Sequence, residues 1–316
     1  KNCARRVADM KNSGLIIFFA LLFFCEPLFA AAYPYIDISA ESGRKGAGCG
    51  AAGPAEISVI GFLQRHEVGD GDTLLDIARR YGLGINDLRR VYPRMDPWLP
   101  PRGEELTIPT MWVLPAAREA PLVINLAEMR IYRFFERYGM VKTYPLGIGR
   151  EGFETPVTEC RVVERHKNPS WTVPPGARGE YKQAVMPPGP DNPLGRYWLG
   201  LSAANIGIHG TNFPWGIGRR VSRGCLRLYP EHIAQLFEET SAGMRVQIIY
   251  EPVKIGVRNE RIYLEVHPDL YGKKSDFSAL VRDLIHKRDL ARAVEWEKVW
   301  QCVVEKNGVP TLVGQI

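Results

Sequence analysis

His209 and Cys225 stand sixteen positions apart in the stretch Ile208–Leu228, which reads IHGTNFPWGIGRRVSRGCLRL. An imidazole and a thiol form a nucleophilic pair: the base takes the thiol proton, and the sulfur attacks an acyl carbon. Gly207 and Gly210 lie close to the histidine and Gly224 precedes the cysteine. Such glycines let backbone approach a bound molecule closely. Arg223 and Arg227 bracket Cys225, an environment expected to favour the thiolate and to attract anions. The amides of Gly224 and Cys225 are natural donors to an oxyanion. No carboxylate lies near His209 in sequence, so a backbone carbonyl is expected to orient its ring. Two other readings compete. A lone cysteine is commonly a small buried hydrophobe, and His209, Cys225 and His232 could be zinc ligands. Structural zinc wants closely spaced ligand pairs of the C-x-x-C kind, which this stretch lacks. Neither metal nor cofactor is expected.

The chain of 316 residues has room for two or three domains, and its 45% hydrophobic content suits a globular protein. A net charge of +6 suits a polyanionic partner: nucleic acid, anionic lipid or an acidic wall. No nucleic-acid-binding signature is present, so nucleic acid is excluded as the expected partner. Lys11 is followed by the apolar run Leu15–Phe24, then Pro27 and the small residues of LFAAA at Leu28–Ala32. Residues 1–32 thus read as a secretory signal peptide whose natural start is Met10. An uncleaved membrane anchor competes, but the run is short of the ~20 residues that span a bilayer. Lipid attachment at Cys25 is excluded by the bulky Phe23 and Phe24 before it. The expected location is outside the cytoplasm, in the periplasm or cell wall. There, Cys49, Cys160, Cys225 and Cys302 meet oxidising conditions. A nucleophilic Cys225 stays free and leaves an odd number, with Cys160–Cys302 a candidate pair.

Something must carry this pair. Residues 33–63 read as a Gly/Ala/Ser-rich lead-in ending in a strand near Ile57–Phe62. Residues 64–110 have the grammar of strand, helix, helix, strand. Asp72 or Thr73 caps the first helix, Gly82 ends it, and Asn86 caps the second. The stretch GDTLLDIARRYG resembles the LysM family, which implies binding of N-acetylglucosamine-containing glycans such as peptidoglycan. Residues 111–252 alternate as strands, with a hairpin over Leu122–Phe135 and one clear helix at Pro230–Thr240. The expected fold class is a mainly β, mostly antiparallel catalytic domain with a short helix, beside a small α+β unit. Residues 253–316 read as a strand pair turned at Asn259–Glu260, followed by a helical C-terminal tail.

IHG followed by SRGCLRL resembles the YkuD-type L,D-transpeptidases, in their periplasmic ErfK/YbiS-like branch. LGIGREGFETPV, KNPSWTVPP and MPPGPDNPLGRYWLGLS add to the resemblance, which runs over about 120–255. It implies a YkuD-type β-sandwich-like fold with Cys225 as nucleophile and His209 as base. The Gly210 carbonyl would orient the imidazole, and Gly224 with Cys225 would hold the oxyanion. Ser222, Arg223, Arg227 and Asn212 fall to substrate binding, with Arg227 suited to a carboxylate. The sequence departs at Arg223, where a histidine is more usual, and near Val157–Glu159, where a glycine is. The implied substrate is the peptidoglycan tetrapeptide stem, with D-Ala released from a thioester at Cys225. The acceptor is a second diaminopimelate for a crosslink or a lipoprotein lysine for anchoring. Water as acceptor would make an L,D-carboxypeptidase. A non-catalytic wall-binding protein is the reading from a different class.

Overall fold

The computed structural model describes residues 30–35, 57–179, 181, 183–203, 205–273 and 276–316. The signal-like run, Cys3, Cys25 and Cys49 lie outside the described residues. Strands β1 (Ala32–Pro34) and β2 (Val59–Gly61) precede a unit in which β3 (Gln64–Glu67) is followed by α1 (Leu74–Arg80) and α2 (Ile85–Val91). Strand β4 (Glu105–Ile108) closes the unit by pairing antiparallel with β3. The Thr73 hydroxyl caps α1 by accepting from the Asp76 amide at 3.1 Å. Gly82, with φ +64, follows the last residues of α1 in the left-handed turn that glycine favours. The cap of α2 differs from the expectation. Gly84 takes the N-cap position, its amide donating to Asp87 Oδ2 at 3.0 Å, which puts Asn86 inside the first turn.

Strand β5 (Met111–Val113) pairs with β2. Beyond it come β6 (Leu122–Asn125), β7 (Arg130–Phe135), β8 (Met140–Pro145), β9 (Ile148–Gly149) and β10 (Thr158–Lys167). The small hairpin β11 (Trp171–Thr172) and β12 (Val185–Met186) follows, then β13 (Tyr197–Leu201), β14 (Gly207–His209), β15 (Arg220–Ser222) and β16 (Leu226–Arg227). Helix α3 (Pro230–Glu239) and β17 (Arg245–Ile249) complete this part. Nine strands form one sheet in the order β1-β8-β7-β6-β17-β10-β13-β14-β16. Most pairs are antiparallel, but β6–β17 and β14–β16 are parallel. The second of these parallel pairs carries the histidine and the cysteine region.

Both faces of the central strands are covered, which is why LVIN in β6 is buried at all four positions. Leu122 and Ile124 join Ile208, Leu226 and residues Ile233 and Leu236 of α3 in one core. Val123, Tyr132 and Phe134 join Leu74, Ile77 and Leu88 of the helical unit in another. A unit of about 45 residues rarely supplies enough core for itself, and here the sheet supplies its other half. Burying each of Leu74, Ile77 and Leu88 contributes about 1.5–3 kcal/mol. Polar ties lock the same contact. Arg79 reaches Glu231 through two nitrogens at 2.7 and 2.8 Å, and buried Arg130 donates to Asp87 at 2.9 Å while lying over the Trp112 ring.

The C-terminal part pairs β18 (Val253–Arg258) with β19 (Arg261–Val266) through Asn259 and Glu260, both at positive φ. Helices α4 (Phe277–Lys287) and α5 (Trp296–Glu305) pack on this sheet. The tail is not purely helical: β20 (Thr311–Gln315) adds a third strand to β19. Its five residues hold a glycine and little alternation, so its identity comes from a non-local partner. Cys160 sits in the main core and Cys302 in the C-terminal core, and both are free thiols. The candidate Cys160–Cys302 pair is therefore corrected: the two sulfurs belong to separate cores. Among the described residues no helix is long and apolar enough to cross a membrane.

Candidate active site

Register brings the two reactive groups together. In the parallel pair β14–β16, Ile208 faces Leu226 and His209 faces Arg227. One step earlier in that register, Cys225 comes beside Gly207. Alternation then puts Cys225, Arg227, Gly207 and His209 on one side of the sheet. His209 and Cys225 line a single cavity of about 770 Å3, together with Ser222, Arg223 and Arg227.

His209 is buried, and its Nδ1 lies 2.6 Å from the Gly210 carbonyl. A carbonyl only accepts, so Nδ1 carries the proton and Nε2 is left as the basic nitrogen. On the neighbouring strand Trp198 faces His209 and its ring stacks on the imidazole at 5.8 Å. A Cβ on Gly207 would meet the Trp198 ring at 2.3 Å, so only glycine lets the indole lie flat there. The ring of His209 is thus fixed by its carbonyl on one atom and by the indole on one face.

Cys225 follows Gly224, whose φ of +107 favours glycine. The Ser222 hydroxyl bridges this turn, donating to the Cys225 carbonyl at 2.5 Å and accepting the Gly224 amide at 3.2 Å. The Gly224 amide is thereby engaged by Ser222 in this conformation. Buried Thr155 adds a support that sequence reasoning missed. Its hydroxyl donates to the Gly224 carbonyl at 2.8 Å and accepts the Gly149 amide at 3.1 Å. Thr155 lies within FETPV, whose signal in the sequence is its family resemblance alone. No local pattern says that its hydroxyl reaches across 69 residues.

The electrostatics overturn one expectation. Burial raises the Cys225 thiol above its ordinary value, and the Gly207 amide and Arg227 offset only part of that. Burial first, then Arg227, pushes His209 down to about 3. The pair therefore rests as neutral thiol and neutral imidazole rather than as an ion pair. Arg223 is one reason. Its guanidinium is turned to the Gly176 carbonyl at 2.7 Å and over the Phe153 ring at 5.4 Å. Arg227 does face the sulfur. Its Nε is buried without a hydrogen-bond partner. Asn212 is exposed, donates to the Asp191 carbonyl, and is not among the residues lining the cavity. His232, considered as a zinc ligand, is buried between Tyr144 and Tyr229.

Elsewhere, Glu128, Glu265 and His267 hold ligand atoms within 4.8 Å of one another. The Lys254 ammonium already stands between the two carboxylates, 2.9 Å from each. A metal ion there would have to displace it.

Comparison with known proteins bears on the chain as a whole. The YkuD family, described as the L,D-transpeptidase catalytic domain, matches residues 120–248. The probable L,D-transpeptidase ErfK/SrfK of Escherichia coli K12 is 35% identical over 280 residues, 85% of this chain and 84% of its own. From the same organism, the probable L,D-transpeptidase YbiS is 36% identical over 82% of both chains. YcfS, also a probable L,D-transpeptidase, is 38% identical over 71% of this chain and 73% of its own. With its alignments running well beyond the matched catalytic region, this chain belongs to the YkuD family of cysteine-dependent L,D-transpeptidases.

Proposed function

We propose that the enzyme cleaves the bond before the terminal D-Ala of a peptidoglycan tetrapeptide stem and transfers the resulting acyl group from Cys225 to an amine. The observation that carries this reading is the single cavity lined by Cys225, a base-competent His209 and Arg227. His209 Nε2 takes the thiol proton as the sulfur bonds to the diaminopimelate carbonyl carbon. The carbon–nitrogen bond breaks, and the same proton goes to the departing D-Ala amine. An acceptor amine then attacks the thioester. It gives its proton to His209, and that proton returns to the leaving sulfur. Arg227 suits the substrate carboxylate, and Ser222 with Thr155 holds the Gly224–Cys225 turn against which the carbonyl oxygen is received. The neutral resting pair favours this concerted proton handling over attack by a standing thiolate.

The helical unit serves as the grip on the wall. Its α2–β4 loop exposes Trp98 and Leu99, apolar surface of the kind that sugar faces cover. A weak glycan contact raises the concentration of stems around Cys225. The domain limits 64–110, 111–252 and 253–316, export to the periplasm or wall, and the choice among diaminopimelate, lipoprotein lysine and water as acceptor belong to this proposal.

The test is intact-mass spectrometry of the purified enzyme with tetrapeptide muropeptides. An adduct on Cys225 equal to the donor minus D-Ala is expected, and it disappears in Cys225→Ala. Release of D-Ala by Cys225→Ala at the wild-type rate would refute the assignment. A lysine-bearing peptide added afterwards separates transfer from hydrolysis.

A further inference from the structure

Among the described residues, one carboxylate lines the cavity that Arg150, Arg223 and Arg227 also line. It belongs to Glu164. Across the sheet Glu164 faces Gly200, Gly200 faces Gly207, and Gly207 lies beside Cys225 in register. These four residues form a row over β10, β13, β14 and the residue just before β16. The two glycines leave its middle bare of side chains of its own, and the Trp198 indole lies there instead. The Trp198 ring covers Gly207, and its Nε1 lies 3.1 Å from the point where a Cβ on Gly200 would stand. Glu164 leans inward to the same place, with Oε2 also 3.1 Å from that point. The row thus runs from a carboxylate, along an indole shelf, to the nucleophilic sulfur.

We infer that Glu164 recognises the side-chain ammonium of the donor residue acylating Cys225, and so selects donors whose side chain ends in a cation. The inference rests on the reading of Cys225 as the acylated nucleophile. The distances fit such a ligand. Gly200 and Cys225 are two strand spacings apart, about 10 Å at ~4.8 Å each. From the thioester sulfur to the far amine of diaminopimelate there are seven bonds. At about 1.25 Å of advance per bond this gives ~9 Å, leaving the ammonium within hydrogen-bond reach of a carboxylate over Gly200. The methylenes between would lie on the indole face. Among the described residues, the imidazole of His166 pairs loosely with this carboxylate, its Nε2 3.7 Å from Glu164 Oε2, a contact longer than the hydrogen bond an arriving ammonium would make. Lys167 is turned to Glu238 at 2.8 Å, and Arg165 donates to the Phe237 carbonyl. Glu164 and His166 are both more than half exposed, at 60% and 58%, so the site is open to an arriving charge.

A second cavity of about 520 Å3 shares Glu164, Trp171, Leu194 and Trp198 with the first. The same carboxylate could therefore serve an acceptor amine, and the experiment separates the two roles. Full-length enzyme and its Glu164→Gln variant are given two tetrapeptide donors, identical except that one carries its side-chain amine free and the other N-acetylated. Acylation of Cys225 is followed by intact mass, and a β-lactam without an amine reports an intact thiol. The wild type is expected to acylate about 10-fold faster with the free amine, and Glu164→Gln to lose that preference by slowing the free-amine donor alone. Equal loss with both donors, or a preference that survives the substitution, overturns the inference. So does a variant slowed only in aminolysis by an added acceptor. If no donor and no β-lactam marks Cys225 in the wild type, the nucleophile reading itself fails. Normal marking with an unchanged preference sinks the role of Glu164 alone.

Discussion

Acidification tests the claim that burial, more than charge pairing, governs the histidines around this site. His232 is the cleaner probe because it takes no part in the proposed chemistry. Burial pushes it down to about 4, with Arg130 and Arg79 acting in the same direction and Glu231 opposing them. Its Nδ1 has no partner. In the unfolded chain the imidazole titrates near 6.5. A lowered folded value means that the unfolded state binds the proton first, so stability is lost as the pH falls below 6.5 toward 4. Between pH 8 and pH 5 the unfolded chain gains a factor of about 32 from protonation and the folded chain about 1.1, a loss of about 2 kcal/mol for this one residue. His209, held at about 3, adds about the same by the same arithmetic. His267 is also lowered and adds in the same direction. The assay is urea unfolding, followed by tryptophan fluorescence, at pH 8 and pH 5. The wild type and His232→Phe are compared, the aromatic ring filling the slot between Tyr144 and Tyr229. The variant is expected to keep about 2 kcal/mol of what the wild type loses on acidification. An equal loss in both proteins would refute the burial argument, because His232 would then titrate alike in the folded and unfolded chains.

Other expectations follow from single contacts. Thr155→Val keeps the shape but leaves the Gly149 amide and Gly224 carbonyl without the hydroxyl. It should cost about 2–4 kcal/mol in urea unfolding and slow acylation of Cys225 more than it changes substrate affinity. Lys254→Met strands Glu128 and Glu265 in a fully buried place, and a loss of about 3–5 kcal/mol in denaturant unfolding is expected. Arg227→Lys keeps a positive charge but loses the fork, and should raise KM for tetrapeptide donors about 10-fold with a smaller change in kcat. Trp98→Ala should reduce retention of the enzyme on insoluble peptidoglycan while acylation by a small β-lactam stays unchanged.

The strands were legible where burial is one-sided or the turn residues are distinctive. Leu122–Phe135 shows its break at the right place because β6 and β7 need a tight reversal there. The helical unit was legible because Thr73 and Gly82 mark the ends of α1 in short-range chemistry. Asn86 misled because two helix caps were available within three residues, and the backbone chose Gly84 with Asp87. β20 was missed because a five-residue strand with a glycine declares itself only through the partner it finds. The shared core beneath the helical unit was missed for the same reason. Apolar spacing says which face of a helix is buried, but the sheet that buries it lies far away in sequence.

In the site, the identity of the residues was easier to read than their electrical state. Spacing and glycines singled out His209 and Cys225, and the carbonyl of Gly210 was the natural orienter once no carboxylate stood nearby. The thiolate was expected because sequence counts arginines without knowing where they point. Arg223 is adjacent to the Gly224–Cys225 turn in the chain, yet its guanidinium ends on Gly176 and Phe153. Arg227 is adjacent and does face the sulfur, but the same burial that leaves its Nε unpartnered also raises the thiol. Low dielectric strengthens the attraction of one guanidinium, and it penalises a bare thiolate more. On the proposed mechanism, a site built this way keeps its thiol protonated until a substrate carbonyl arrives. In the exported location proposed above, that has a consequence for survival of the catalyst: a half-buried thiol held neutral reacts slowly with oxidants and stray disulfides, whereas a standing thiolate would be consumed by them.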